Sequence, residues 1–319
     1  MHPVDHAGTM DPIEQMAEEG HLIGPPSSTW RSAGRRLLRR RTGVAGLIII
    51  GFLVLVAIFA PLLAPYDPEV GLLGVEGEER RSPPCVHIFG CPEDQPQHIM
   101  GLDSNARDVF SRIVYGSRVS LTIGFTTVTA AVLVGAVLGA IAGFWGRWLD
   151  NSVMRVMDVV LGFPALLLAI AIVAVLGPGL TNALLAIAIV SIPAYARVMR
   201  ASVLQIKELD FVAASRALGA SNSRILVTRV IPNALTPLVV LGSLGIAAAI
   251  LEAAGLSFRG LGAQPPTPEW GTMLGEERNQ IFSAPHLVIF PGLAIMLTVL
   301  GFNLLGDGLR DALDPRLNE

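Results

Sequence analysis

The chain has a single lysine, Lys207, among 319 residues. No glycine precedes it directly, so the G-x-x-x-x-G-K-[ST] loop that cradles nucleotide phosphates is missing and P-loop ATPase chemistry is excluded from this chain. Charge as a whole is scarce: Asp, Glu, Lys and Arg make up 15% of residues, against about 25% in an ordinary soluble domain. A net charge of −3 and a pI near 6.1 leave no basic field to hold nucleic acid. The six histidines form no H-E-x-x-H pair, and neither a G-x-S-x-G elbow nor a G-x-G-x-x-G fingerprint occurs. Catalysis therefore has no visible seat.

What is abundant is apolar length. Hydrophobic residues are 52% of the chain, and a helix crossing roughly 30 Å of hydrocarbon needs about 20 residues at about 1.5 Å each. Uncharged stretches of that size run over 44–63, 119–144, 230–251 and 287–306, and the longest, 159–196, is divided by Gly177-Pro178-Gly179. The divided stretch reads as two crossings, which gives an all-α, polytopic protein with six transmembrane helices. This requires Pro61, Pro164, Pro193, Pro237 and Pro291 to kink their helices rather than end them. Of the 23 basic residues, 16 fall in segments that are cytoplasmic if the N-terminus is inside, so both termini are expected in the cytoplasm of a cell-membrane protein.

The domain reading follows the spans. Residues 1–34 form a cytoplasmic tail; its first thirty carry five acids and no Lys or Arg, which fits a disordered segment and not a secretory signal. A basic lead-in and the first span occupy 35–63, an extracytoplasmic segment occupies 64–118, and the core of 119–319 holds the other five spans. Within that core lie an inner loop at 207–233 and an outer loop at 256–286.

Cys85 and Cys91 sit together in the first outer segment, with His87 and His98 nearby. An oxidising compartment favours a short disulfide; a metal site and free thiols are the alternatives, although the spacing matches no common zinc pattern. Ala131, Gly135, Gly139 and Gly143 recur every fourth residue, a spacing for close helix packing. Glu252 lies near the outer end of the fifth span, either as a solvated helix end or as a group of the pathway or its gate. Asp307, Asp311 and Asp314, beside Arg310 and Arg316, read as a solvated helix end.

The inner loop carries the most information. Asp210 can cap a short helix whose Phe211, Ala214, Ser215 and Leu218 share one face, and Gly219 can end that helix in a left-handed conformation. After Ala220, Ser221 can cap a second short helix that carries Ile225 and stops before Pro232. By pattern alone this is either a surface helix lying on lipid or a rigid knuckle with a small apolar face.

The loop resembles the cytoplasmic EAA loop of ABC importer permeases, in which Glu-Ala-Ala is followed, after three residues, by glycine and, thirteen further on, by proline. Here Ala213-Ala214-Ser215 holds the tripeptide position, Gly219 the glycine and Pro232 the proline, with Ala213 standing where the glutamate would be. HIMGLDSNARDVFSRIVYGSRVSL (98–121), LSFRGLGAQPPTPEWGTML (256–274) and FPGLAIMLTVLGFNLLGDGLRDALDPR (290–316) resemble segments of the dipeptide/oligopeptide-type permeases. Arg259, where an apolar residue is expected, and the inserted stretch at 71–97 depart from that pattern.

The resemblance implies a type I importer. A homologous second permease completes the pathway, two ABC ATPase subunits carrying ATP and Mg dock beneath, and an extracytoplasmic binding protein delivers peptide; this chain itself binds no cofactor and no metal. It further implies that residues 210–232 couple the ATPases to the spans, and that 71–118 and 256–286 receive the binding protein. Relatives of the family handle glutathione, nickel chelates or haem. A stand-alone secondary transporter would instead need charges in mid-span, which are lacking, and a membrane enzyme paired acids or a histidine cluster near an interface, where the cluster of Asp307, Asp311 and Asp314 reads better as a solvated helix end.

Overall fold

The computed structural model describes residues 34–74, 79–92 and 95–313. The acidic tail up to residue 33 and Asp314 and Arg316 near the C-terminus lie outside them. Among the described residues the architecture is all-α, with isolated bridges only, Cys85 to His98 and Leu102 to Asp108.

We number the principal helices α1 (Arg41–Ile58), α2 (Val109–Trp145), α3 (Arg147–Leu161), α4 (Ala165–Leu176), α5 (Leu180–Ile206), α6 (Asp210–Ala217), α7 (Asn222–Phe258), α8 (Trp270–Glu277) and α9 (His286–Leu313). Five of them, α1, α2, α5, α7 and α9, are long and apolar enough to cross a bilayer, and the α3–α4 pair, bent by 90°, makes up to a sixth crossing.

The third crossing differs in shape from its expectation. Helix α4 has 12 residues, about 18 Å of helix, well short of a bilayer core. Pro164 caps α4 and so ends the preceding helix instead of kinking it, because a proline ring has no N–H to give and clashes with the carbonyl four residues back. Pro193, Pro237 and Pro291 do remain inside helices, while Pro61 opens the short turn Ala60–Leu63. At the other end of α4, Gly177 and Gly179 adopt φ of +92° and +152°, and the Asn182 side-chain amide donates to the Leu176 and Gly177 carbonyls, each at 3.0 Å.

Helix α2 starts earlier than the charge-free stretch. Asp108 accepts a hydrogen bond from the Ser111 amide at 2.7 Å and sets the N-cap, so residues 109–118 continue the helix beyond the predicted span into a cap built by the segments on either side. The small-residue face of α2 packs on α5. A methyl added at Gly143 would come within 2.9 Å of the Arg200 carbonyl oxygen, and one at Gly135 within 2.8 Å of Tyr195 Cβ. Lipid supplies no hydrophobic drive for helix pairing, so backbone approach of this kind carries the association. Ile123, Ile187, Leu256 and Phe302 anchor the central apolar cluster, and a second cluster closes the end of the bundle that bears α6.

Candidate functional site

The 207–233 segment is a knuckle between two long helices. Leu209, and not Asp210, is the N-cap of α6; Asp210 is its first residue and its side chain makes no cap bond. An acid there still suits the positive helix end. The C-terminus closes as a Schellman motif, in which Ala220 N–H reaches the Ser215 carbonyl at 3.1 Å and Gly219 N–H reaches that of Arg216 at 3.0 Å. Gly219 supplies the φ of +83° that this closure requires.

Ser221 occupies the next N-cap position, again without a side-chain bond. The second helix does not stop before Pro232. It passes through a π-helical turn, Leu226–Val230, and continues as α7 to Phe258. The Ile231 amide bonds the Leu226 carbonyl; this wider turn and the side chains of Thr228 and Asn233, which donate to the Arg224 and Arg229 carbonyls at 2.7 and 2.6 Å, let the ladder pass a residue with no N–H.

Two side chains hold the knuckle to the bundle. Val212 is fully buried and Ile225 is 1% exposed, both packed with Met199, Val203, Val230 and Leu238. Lys207 adds a polar tie, donating from Nζ to the Gly143 carbonyl at 3.0 Å, near the negative end of α2. The predicted face at 211, 214, 215 and 218 points the other way. Phe211 is 40% exposed and Leu218 88% exposed, with Ala213 and Ala214 also uncovered. Beside them a cavity of about 360 Å³ is lined by Ser215, Leu218, Ala220, Arg224, Ile225 and Arg229. Phe211, Leu218 and this cavity thus leave one face of the knuckle uncovered in the isolated chain.

At the opposite end, the described residues of 64–108 and the segment 259–286 form a closed cap and not loose loops. Arg112 is completely buried; its Nη1 donates to the Pro68 and Pro266 carbonyls at 3.0 and 3.2 Å, and its Nε lies 3.5 Å from Asp103. Arg107 pairs with Asp103 at 2.7 Å and with Glu276 at 2.8 Å. Glu277 accepts from Arg81 at 3.0 Å and from the Ser104 amide at 2.9 Å. His98 Nδ1 meets Asp108 at 2.8 Å, and Trp270 Nε1 donates to the Ile113 carbonyl at 3.0 Å. Glu269 caps α8 through the Thr272 amide at 2.8 Å. Burial raises its carboxyl above the ordinary carboxylate range, against the pull of the hydrogen bonds it accepts.

Residue-by-residue reading missed this cluster. Its signal was present as charge concentrated inside the two segments of family resemblance at 98–121 and 256–274 and just after the second. In the same cap Cys85 and Cys91 are joined as a disulfide, Cα atoms 5.3 Å apart. His87 and His98 are engaged elsewhere, His87 with the Gln95 carbonyl at 2.8 Å and His98 with Asp108. Glu252, on α7, is half-buried and lies two residues before Ala254, which packs with Val109 and Trp270 beneath the cap.

Comparison with known proteins bears on both ends. Residues 135–319 match the family described as binding-protein-dependent transport system inner membrane component, and residues 28–84 match the N-terminal TM domain of oligopeptide transport permease C. The chain is 48% identical to a dipeptide transport system permease protein of Alkalihalophilus pseudofirmus, over 91% of each chain. It is 45% identical to a di/tripeptide transport system permease protein of Pseudomonas aeruginosa, over 92% of this chain and 93% of that one. It is 44% identical to a glutathione transport system permease protein of Pectobacterium atrosepticum, over 90% and 91%. Its fold is similar to that of a chain in an inward-facing MetNI methionine ABC transporter, with a TM-score of 0.53 at 19% identity over 64% of this chain and 96% of that one.

Proposed function

The chain belongs to the binding-protein-dependent transport system inner membrane component family and is a multi-pass inner-membrane permease subunit of an ABC importer, and from that premise we propose what it carries and how it is driven. The solute is a short peptide. Half of the pathway is this chain and half is a homologous second permease. Two ABC ATPase subunits, bearing ATP and Mg, seat the knuckle of residues 210–232, and an extracytoplasmic binding protein delivers peptide to the cap. The knuckle and both termini then face the cytoplasm.

One observation carries this reading: Phe211 and Leu218 are displayed to the outside on a helix that Val212 and Ile225 lock to the bundle. A site that must transmit force needs a rigid root and an unfinished apolar surface, and the knuckle has both. Closure of an ATPase pair on ATP would pull the knuckle, and with it α5 and α7, which leave it on either side without a flexible joint. Such a cycle needs only that nucleotide state and peptide favour different arrangements of the helices. The dipeptide and di/tripeptide permeases among its relatives support a peptide solute. The glutathione permease similarity supports a second reading within the same chemistry, a tripeptide-like thiol.

The test is uptake into proteoliposomes holding this chain, its second permease, both ATPases and the binding protein. We expect ATP-dependent accumulation of labelled dipeptide that is abolished when the ATPases are omitted. Equal uptake without them would sink the coupling role, and uptake of glutathione but no dipeptide would move the solute to the second reading.

A further inference from the structure

Helix α7 exposes one continuous stripe. Positions 241, 244, 245, 248, 251, 252, 255, 258 and 259 are exposed or half-buried, while the positions between them are buried. The spacing is that of one helical face. The stripe has two edges of different chemistry. One carries Leu251 and Phe258, suited to hydrocarbon; the other carries Ala248, Glu252, Gly255 and Arg259, while Leu244 packs on Gly306 of α9 and Gly245 lies under the Tyr195 hydroxyl.

A carboxylate on an edge otherwise reduced to glycine and alanine does not suit lipid, where unpaired charge is strongly disfavoured, and a guanidinium follows it just past the end of the helix. Nor are the two charges satisfied within the chain. Glu252 has no hydrogen-bond or ion-pair partner among the described residues, and the Arg259 guanidinium donates to the Gly255 carbonyl at 2.8 Å, one turn back on its own helix. Gly255 has no side chain to fill the gap: a Cβ there would lie 3.8 Å from Arg259 Nη1 and 3.9 Å from Leu166 Cδ1. The result is an open notch with a negative group on one side and a positive group on the other.

Resting on the peptide reading above, we propose that Glu252 and Arg259 are the solute-recognition charges of the translocation pathway, Glu252 taking the ammonium end and Arg259 the carboxylate end of a zwitterionic peptide passing along the Ala248–Arg259 edge of α7. Seven residues of helix separate their Cα atoms by about 10 Å, and Arg259 folds back to shorten that reach. An extended di- or tripeptide spans roughly 7 to 10 Å at about 3.3 to 3.6 Å per residue. Gly255 leaves room between the two charges, so the ends are read and the sequence is not.

The experiment uses the complete reconstituted transporter and three probes: a free dipeptide, its N-acetyl derivative and its C-terminal amide. We expect the wild-type complex to prefer the free dipeptide. Glu252→Gln should cut uptake of the free dipeptide and of the amide about tenfold while sparing the N-acetyl form, and Arg259→Gln should spare the amide instead. In parallel, Ala248→Cys should react with a charged, water-soluble maleimide at least about tenfold faster than Leu251→Cys on the adjacent edge. Unchanged selectivity in both variants, in a complex that does import dipeptide, overturns the charge pair alone. A wild-type complex that imports no peptide overturns the peptide reading and the pair together. An Ala248→Cys no more reactive than Leu251→Cys shows a dry helix contact and overturns the pathway assignment.

Discussion

The two ends of the bundle use opposite chemistry. At the cap, charges are buried: Arg112 has no exposure, and Asp103, Arg107 and Glu277 are each below 5%. At the knuckle, apolar groups are bare, with Leu218 at 88% exposure. A buried ion cluster is stable only while every member is present, because its desolvation is offset by its partners; it is suited to fixing two chain segments, 64–108 and 259–286, in one arrangement. An exposed apolar face contributes nothing to the isolated chain and gains its burial only when a partner arrives. The cap is therefore held together within this subunit, and on the reading proposed above the knuckle is finished by another.

If that contrast holds, the cap should fail by unfolding. Arg112→Ala leaves Arg107 to balance both Asp103 and Glu276 and strips the donor from the Pro68 and Pro266 carbonyls. Removing one partner of a buried pair costs about 3–5 kcal/mol, and we expect the largest effect of any substitution considered: loss of a monodisperse peak in detergent, or a sharply lowered Tm, read by fluorescence-detected size exclusion with heating. A Tm within a degree or two of wild type would mean that the cluster does not hold the cap.

The knuckle should fail by losing its partner. Gly219→Val forces a β-branched residue to a φ of +83°, a strain of about 1–3 kcal/mol, and opens the Schellman closure that sets the direction of Leu218. The bundle, anchored by Val212 and Ile225, should stay folded with a modestly lowered Tm, while ATPase capture in a pull-down drops about tenfold. Leu218→Ser sharpens the same point. It touches an exposed side chain, so stability should change by no more than about 0.5 kcal/mol, yet ATPase capture should still weaken. Retained capture in both variants would place the docking face elsewhere.

How much of this was legible beforehand depends on the range of the interaction. The apolar runs gave the long helices, since crossing a bilayer is a length requirement that a sequence displays directly. Gly219 was readable because only one residue type tolerates its conformation well, and the Gly135–Gly143 repeat because helical spacing alone places it on one face. Three features were not readable locally. Pro164 ends a helix while Pro193 and Pro237 sit within theirs, and at Pro232, which looked like a stop, a π turn just ahead lets the helix continue. The start of α2 was masked by Arg112 and Arg118, which read as charges that end a span; only the acids at 103 and 276, more than 170 residues apart, make Arg112 an interior residue.

The smallest effect tests whether the cap's burial extends to its neutral groups. Glu269 is 2% exposed and has its carboxyl raised by burial. A carboxyl with a folded-state pKa above its unfolded value favours the fold while protonated; that contribution is full below the unfolded carboxylate range and is lost as pH rises through the raised value. Wild-type Tm should therefore decline slightly as pH climbs from about 4 toward neutrality, on top of whatever the paired acids do in the opposite sense. Glu269→Gln keeps an acceptor for the Thr272 amide and cannot ionise, so the variant should lose that component, and the difference between the two Tm curves should grow with pH in favour of the variant. A constant difference would mean that Glu269 stays ionised in the folded cap, held by the amides of Gly271 and Thr272 as a charged N-cap.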